Sequence, residues 1–374
     1  MKRSWFWPVS VWVMFGLVLL GGVLRPGKNS STSDKAKRVK IGIVLSVGGR
    51  GDQSFNDSAY EGLMLAKKLF RGVEVRFSEP RENAAAKQDL ENYAKQSYDL
   101  IIGVGFLMGR AVQDVAKKYP KLRFAIIDSI INLPNVTSLV FQEHEGSYLA
   151  GVLAALSTKS GVVGFLGGMK LPLIEKFEAG FVQGVLDTRP GTRVIVSYLG
   201  ASPKAFHDPA GGHKLAQTQF GQGADIVFHA SGSSGLGAIK AAREWNQQHP
   251  TISQRKYIIG VDGNQDGLAK GSVLTSMIKR VDVSVFESIK NLLLGKLEAR
   301  VYRFGLAEGG VGVTDCRYSL KRLPKNFSSV LQTKISAIIQ GKIQVPYLPK
   351  DVRRSKKSGT KNVSPRTNVP HPRK

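Results

Sequence analysis

The sequence predicts an α/β protein built as two doubly wound parallel-sheet lobes joined by a hinge. Short β-branched runs alternate with longer amphipathic segments from residue 39 to residue 340, which is the punctuation of βαβ units. Runs such as IGIVLS (41–46) and DLIIGVG (99–105) are apolar throughout rather than alternating, as strands covered on both faces are. The alternation fills most of 374 residues, too long for one small core and suited to two domains of ordinary size.

In order, IGIVLS is the first strand, and residues 57–70 read as a helix because Ala59, Leu63, Ala66 and Phe70 recur at three- and four-residue spacing. Strand 73–78, helix 82–96, strand 99–105, helix 108–118 and strand 123–128 follow, and then strand 137–141 and helix 146–157. GVVGFLG (161–167) opens a second series with strands at 192–200, 224–230 and 256–262, separated by helices near 174–187, 209–221 and 235–248. VLTSMIK (273–279) is a further strand, with a helix at 283–294 behind it and a final helix near 328–340. The expected division is 39–142 plus about 273–305 for the first lobe and 143–272 plus about 306–346 for the second. No helix-turn-helix precedes the first strand, which counts against a repressor on the same plan.

The net charge of +26 first suggests a polyanionic partner. Its distribution argues otherwise. Residues 350–374 carry nine Lys/Arg against one Asp, residues 25–40 carry six against one, and Lys2 and Arg3 add two, so these segments hold +15 of the +26. Nucleic acid is therefore not the expected partner. The run 350–374 has almost no large apolar side chain and reads as a disordered basic tail. At the other end, a basic start and an apolar run from Val9 to Leu24 make residues 1–26 a signal peptide or signal anchor, followed by a linker at 27–38. Export is expected, with membrane attachment through this segment if it stays uncleaved. Cys316 is the only cysteine, so no intramolecular disulfide or Cys-based zinc site can form.

In parallel sheets, functional side chains lie just past the carboxyl ends of strands. Those positions hold Ser46 to Asn56 after the first strand, Phe55 among them, Gly105-Phe106 after the third and Asp128-Ser129 after the fourth, then Gly167-Gly168, Phe206, Ser231 to Gly237 with Gly232 among them, Asp262-Gly263-Asn264 and Lys279 in the second series. Two aromatic rings suit stacking on a flat base, and Asp262 with Lys279 suits a vicinal diol, one accepting and the other donating. The set is fitted to recognition rather than bond-making. Each member has a plainer reading: Phe55 as a hydrophobic staple, Asp128 as a cap, Asp262 as a turn former ahead of Gly263, Lys279 as surface charge. SGSSGLG (231–237) lacks the Gly-Lys-Ser/Thr ending of a phosphate loop, GGRGDQSFND (48–57) lacks dinucleotide spacing, and neither a GxSxG elbow nor a His pair at i, i+4 occurs. No cofactor, metal or catalytic residue is expected.

The ordered motifs IGIVLSVGGRGDQSFNDSAYEGL, FAIIDS, VTSLVFQEHEGSYLAGVLAA, AFHDPAGGHKLA, GADIVFHASGSSGLGAIKAARE, YIIGVDGNQ and VLTSMIKRVDVSV, with the late GKIQVP, resemble the basic membrane protein family. These are nucleoside-receptor lipoproteins of the purine nucleoside receptor type, the substrate-binding components of ABC importers. The resemblance implies a periplasmic-binding-protein type I fold and no enzymatic activity. It also implies a nucleoside ligand and, as partners, ABC permease and ATPase subunits, with the protein itself a monomer. On this chain it puts Phe55 and Phe206 on either side of a purine base, Asp128 on the base, and Gly232, Asp262 and Lys279 on the ribose. Two positions depart from the family pattern: Ser46 stands where a carboxylate is common, and no N-terminal cysteine is present for lipidation. The alternative from composition is an envelope sensor or surface adhesin whose basic tail binds polyanions.

Overall fold

The computed structural model describes residues 38–352; the signal segment 1–26, the linker up to residue 37 and the tail from residue 353 lie outside the described residues. The first lobe begins with β1 (Val39–Val44), α1 (Phe55–Leu69), β2 (Val73–Ser78), α2 (Asn83–Lys95), β3 (Leu100–Gly103), α3 (Gly109–Lys118), β4 (Arg123–Ile127) and β5 (Val136–Phe141). The second runs through α4 (Glu143–Ser157), β6 (Val162–Met169), α5 (Pro172–Thr188), β7 (Arg193–Gly200), α6 (Pro209–Gly221), β8 (Ile226–Ala230), α7 (Ser234–Gln248), β9 (Tyr257–Asp262) and β10 (Val273–Lys279). The chain then returns through α8 (Val281–Leu293) and β11 (Val301–Phe304) before finishing with β12 (Val311–Val313) and α9 (Phe327–Ile339).

Two six-stranded sheets result, ordered β11-β5-β4-β3-β1-β2 and β12-β10-β9-β8-β6-β7. The two orders correspond strand for strand, so β4 and β9 hold the same rank, as do β5 and β10. All described pairings are parallel except β10 with β12. Strands β3, β5, β8 and β9 are buried along their whole length, which explains their unbroken apolar runs. Helices α1 and α8 pack together, as do α2 with α3, α4 with α5 and α6 with α7.

One expected boundary is wrong. The sequence places Val273–Lys279 in the first lobe, but β10 continues the second sheet, with Val273 opposite Ile258 and Ile278 opposite Asp262. The connection 263–272 returns the chain to the start of the sheet and lays β10 parallel beside β9, and the chain crosses back only after Lys279. Strands β11 and β12 were not anticipated; at four and three residues, they are too short to show a period. The basic tail was expected from residue 350, yet Val352 is buried and Asp351 N donates to Leu348 O. Order therefore extends slightly further than composition suggests.

The lobes are connected three times, at Gln142–Glu143, Lys279–Val281 and Phe304–Val311. These crossings are tied laterally: Gln142 N donates to Phe304 O at 2.9 Å, Arg280 N to Gly310 O at 2.9 Å, and the Glu145 carboxylate accepts from Leu306 N at 2.8 Å. The hinge is thus a braced bundle of segments.

The α4–α5 pair depends on glycines. A Cβ at Gly151 would lie 2.2 Å from Phe181 O, one at Gly180 2.1 Å from His144 O, and one at Gly184 2.1 Å from Tyr148 O. The spacing Gly180-x-x-x-Gly184 lets the two backbones touch. Gly184→Ala is expected to push the helices apart and cost about 1–3 kcal/mol of stability in denaturant unfolding. Gly221→Ala, where a Cβ meets nothing, should be neutral or slightly stabilising.

Candidate functional site

The loops after β1, β3, β4, β8 and β9 converge on one cleft, with about 780 Å³ of space that is partly open to solvent. Both sheets reverse their winding at a central strand, β1 or β6, and the cleft opens at the carboxyl ends where such sheets place ligands. Ser46, Phe55, Asn56, Asp128, Phe206, Gly232, Asp262 and Lys279 all line it. Strand-end reasoning therefore brought together residues up to 233 positions apart in sequence, from Ser46 to Lys279.

The first loop is ordered by its two aspartates. Asp52 accepts from the backbone N–H of Ser54, Asn56 and Asp57 at 2.9, 2.9 and 3.2 Å, capping α1 from two residues before the formal N-cap. Asp57 accepts from Gly51 N and Gln53 N, each at 2.8 Å. Arg50 joins the far side, with its guanidinium 4.7 Å from the Tyr60 ring and 4.6 Å from the Phe77 ring, and 3.2 Å from Glu79. The result fixes Phe55 and Asn56 at the start of α1. Asn56 Oδ1 accepts from Ser46 N at 2.9 Å, so its Nδ2 is the group left to donate.

At the polar end, Lys279 is 2% exposed. Its Nζ lies 2.6 Å from Asp128 Oδ2 and 3.2 Å from Glu143 Oε1. Asp128 belongs to the first lobe and Lys279 to the second, so the ion pair spans the cleft. The ammonium also stands 5.0 Å from the Phe55 and Phe141 rings and 5.9 Å from that of Phe177. Burial opposes its charge, but Asp128, Glu143 and Asp262 outweigh burial and hold its pKa above the usual lysine value. Asp128 Oδ1 is buried with no hydrogen-bond partner.

Asp128 and Asp262 occupy corresponding places at the ends of β4 and β9, and both have left-handed backbones, with φ of 65° and 62°. Aspartate tolerates that region better than most residues, and the conformation turns each carboxylate off its strand. Asp262 Oδ2 accepts from Ser54 Oγ at 2.8 Å, a second link between lobes. A third is Gln265 Nε2 donating to Gln53 O at 3.1 Å.

Phe206 ends a short 3-10 turn at Pro203–Phe206, and its ring meets that of Phe106 edge-on at 6.3 Å. Two glycines make room for it. A Cβ at Gly168 would lie 2.3 Å from the ring, and one at Gly232, whose φ is 56°, would lie 2.9 Å from Phe206 O. Among the described residues, no group of His, Cys, Asp and Glu is arranged to hold a metal ion.

The geometry corresponds to a known family. The profile described as ABC transporter substrate-binding protein PnrA-like matches residues 39–348. The chain belongs to this family. A nucleoside-binding protein of an ABC transporter from Lactococcus lactis, BmpA, is 32% identical over 353 residues, covering 90% of this chain and 97% of that one. An uncharacterized lipoprotein of Pyrococcus abyssi is 35% identical over 295 residues, 77% of this chain and 72% of its own length. An ABC transporter solute-binding protein from Aeropyrum pernix superposes with a TM-score of 0.73 at 26% identity, covering 85% of this chain and 96% of that one. As a PnrA-like substrate-binding protein, the chain has the two-lobed periplasmic-binding-protein type I fold.

Sequence reasoning missed Glu143, Ser54 and Phe177. Glu143 opens α4 and is wholly buried, and a carboxylate followed by a long apolar helix was the available signal. Asp128, expected on a base, and Lys279, expected on a ribose, are direct neighbours. Their 2.6 Å contact puts them at one end of the cleft.

Burial above all, with help from Asp128 and Asp52, pushes Asp262 up to about 7, against the opposing influence of Lys279 and the Ser54 hydroxyl. Between its ordinary 3.8 and about 7, the folded chain keeps a proton that the unfolded chain releases. This group's contribution to stability therefore falls as pH rises through that window and is flat above it. Asp262→Asn, a permanent mimic of the protonated acid, should gain on wild type by up to about 4 kcal/mol between about pH 4 and pH 8 in urea unfolding. Parallel pH profiles for the two proteins would show an ordinary carboxylate instead.

Proposed function

We propose that this substrate-binding protein captures a nucleoside, a purine nucleoside first among them, and delivers it to an ABC permease energised by its ATPase subunits. The observation that carries the reading is the division of one cleft into two chemistries. Aromatic rings from both lobes, Phe55, Phe106 and Phe206, offer faces to a flat base, while Asp128, Asp262 and Lys279 gather at a polar end. A nucleoside is divided the same way, into an aromatic base and a hydroxyl-rich sugar. The unpartnered Asp128 Oδ1 accepts a sugar hydroxyl, Asp262 binds its neighbour, and Lys279 donates to either. Asn56 Nδ2 and Ser46 Oγ face the base. The name of the Lactococcus lactis relative supports the same ligand class.

Lys279 and Glu143 both belong to the second lobe and stay paired when the lobes part, whereas Asp128 leaves with the first. Closure by hinge motion brings Asp128 onto the ammonium and seals the ligand from water. The protein acts outside the cytoplasm in the cell envelope, as the lipoprotein relative from Pyrococcus abyssi suggests. No described helix is long and apolar enough to cross a membrane; in this reading any attachment is made through the apolar run from Val9 to Leu24.

A thermal-shift panel of nucleosides, free bases, flavins and sugars tests the ligand class. Inosine should stabilise the protein increasingly with the logarithm of its concentration, reaching about 2.7 kcal/mol at 100 times Kd. Phe206→Ala should weaken binding by about 1–3 kcal/mol, the size of one lost base stack. No response to any nucleoside at millimolar concentration would sink the proposal.

A further inference from the structure

Tyr347 lies beyond the last helix, outside the cleft, and is 47% exposed. It nevertheless touches the lobe crossing behind the polar end. Its hydroxyl donates to Gln142 Oε1 at 3.0 Å, and its ring centre is 4.1 Å from that of His144. Lys176 Nζ stands 5.8 Å over the same ring. Glu143, between Gln142 and His144, divides its carboxylate: Oε2 accepts from Lys176 at 3.2 Å, while Oε1 lies 3.2 Å from Lys279. One aromatic side chain thus braces both chain neighbours of Glu143 and the cation that holds its outer oxygen.

We infer that Tyr347 is a positioning residue, which fixes Glu143 through Lys176 and so holds the Lys279 ammonium in place at the cleft. Glu143 Oε1 faces Lys279 without hydrogen-bond alignment, so it depends on its other oxygen for orientation. Lys176 is partly exposed, with 24% of its side chain open. Without the ring above it, Lys176 hydrates and draws Oε2 outward, which rotates Oε1 away from Lys279. The segment carrying Tyr347 lines an open depression together with Ile338, Ile343 and Val345, and grips the crossing through this ring. The brace itself is independent of the ligand, but its effect on binding rests on the nucleoside reading above.

The test uses the full chain, titrated with inosine, and 15N NMR of the Lys279 ammonium without ligand, assigned by its loss in Lys279→Met. Tyr347→Ala should move that resonance and weaken inosine binding about 5- to 20-fold. Tyr347→Phe keeps the ring and should stay within about threefold of wild type. Lys176→Met should reproduce the loss, and the double variant should bind no more weakly than the worse single variant. A merely structural role would make the losses multiply. Multiplying losses, an unmoved Lys279 resonance or unchanged affinity in Tyr347→Ala each overturn the inference. Wild type that ignores inosine, with the resonance still moved by Tyr347→Ala, overturns the nucleoside reading and leaves the brace standing.

Discussion

A buried ammonium is costly unless carboxylates surround it, and that constraint organises this protein. Lys279 is at the end of β10, where the chain is about to leave the second lobe. Its two contacting carboxylates come from the end of β4 in the first lobe and the first turn of α4 in the second. Removing both would leave the ammonium without a contacting carboxylate in a site that is almost closed to water, and breaking a buried pair of this kind costs about 3–5 kcal/mol. The cluster therefore fixes how the crossings meet as well as what the cleft presents. Asp262, with no direct cation contact, has its pKa raised chiefly by burial.

The correspondence of the two sheets explains why so few residues make the site. Equivalent strands β4 and β9 each end in an aspartate with left-handed backbone, one from each lobe. The pair brackets the polar end, and the cross-lobe contacts of Ser54 with Asp262 and of Gln265 with Gln53 lie beside it. Contacts that hold the lobes together are thus next to contacts available to a ligand. In the proposed function, this adjacency converts ligand capture into closure, because the same carboxylates answer to both.

Much of this was legible in the sequence, for identifiable reasons. Fully buried parallel strands leave long apolar runs, and parallel sheets put ligand-facing residues at strand ends, so the stretches that line the cleft could be picked without knowing their neighbours, and the family resemblance narrowed them to single residues. Pairing was not legible. Nothing local tells that Lys279 meets Asp128 and Glu143, or that VLTSMIK extends the second sheet rather than returning to the first. Both facts depend on which distant segments pair, and β11 and β12, which flank the third crossing, are too short to be seen as periods. Asp52 illustrates the opposite error of emphasis: in the glycine-rich loop it looks chemical, yet its carboxylate is consumed by three backbone N–H groups.

The central claim is that the polar end of the cleft holds the hydroxyls of a sugar while the rings hold a base. Calorimetric titration of the full chain with inosine and with 2′,3′-dideoxyinosine addresses it most directly. The two ligands share a base and differ only in the diol. Because buried carboxylate and ammonium groups would be left without partners, the account predicts that the dideoxy compound binds at least about 100-fold more weakly. Equal affinity for the two would contradict it.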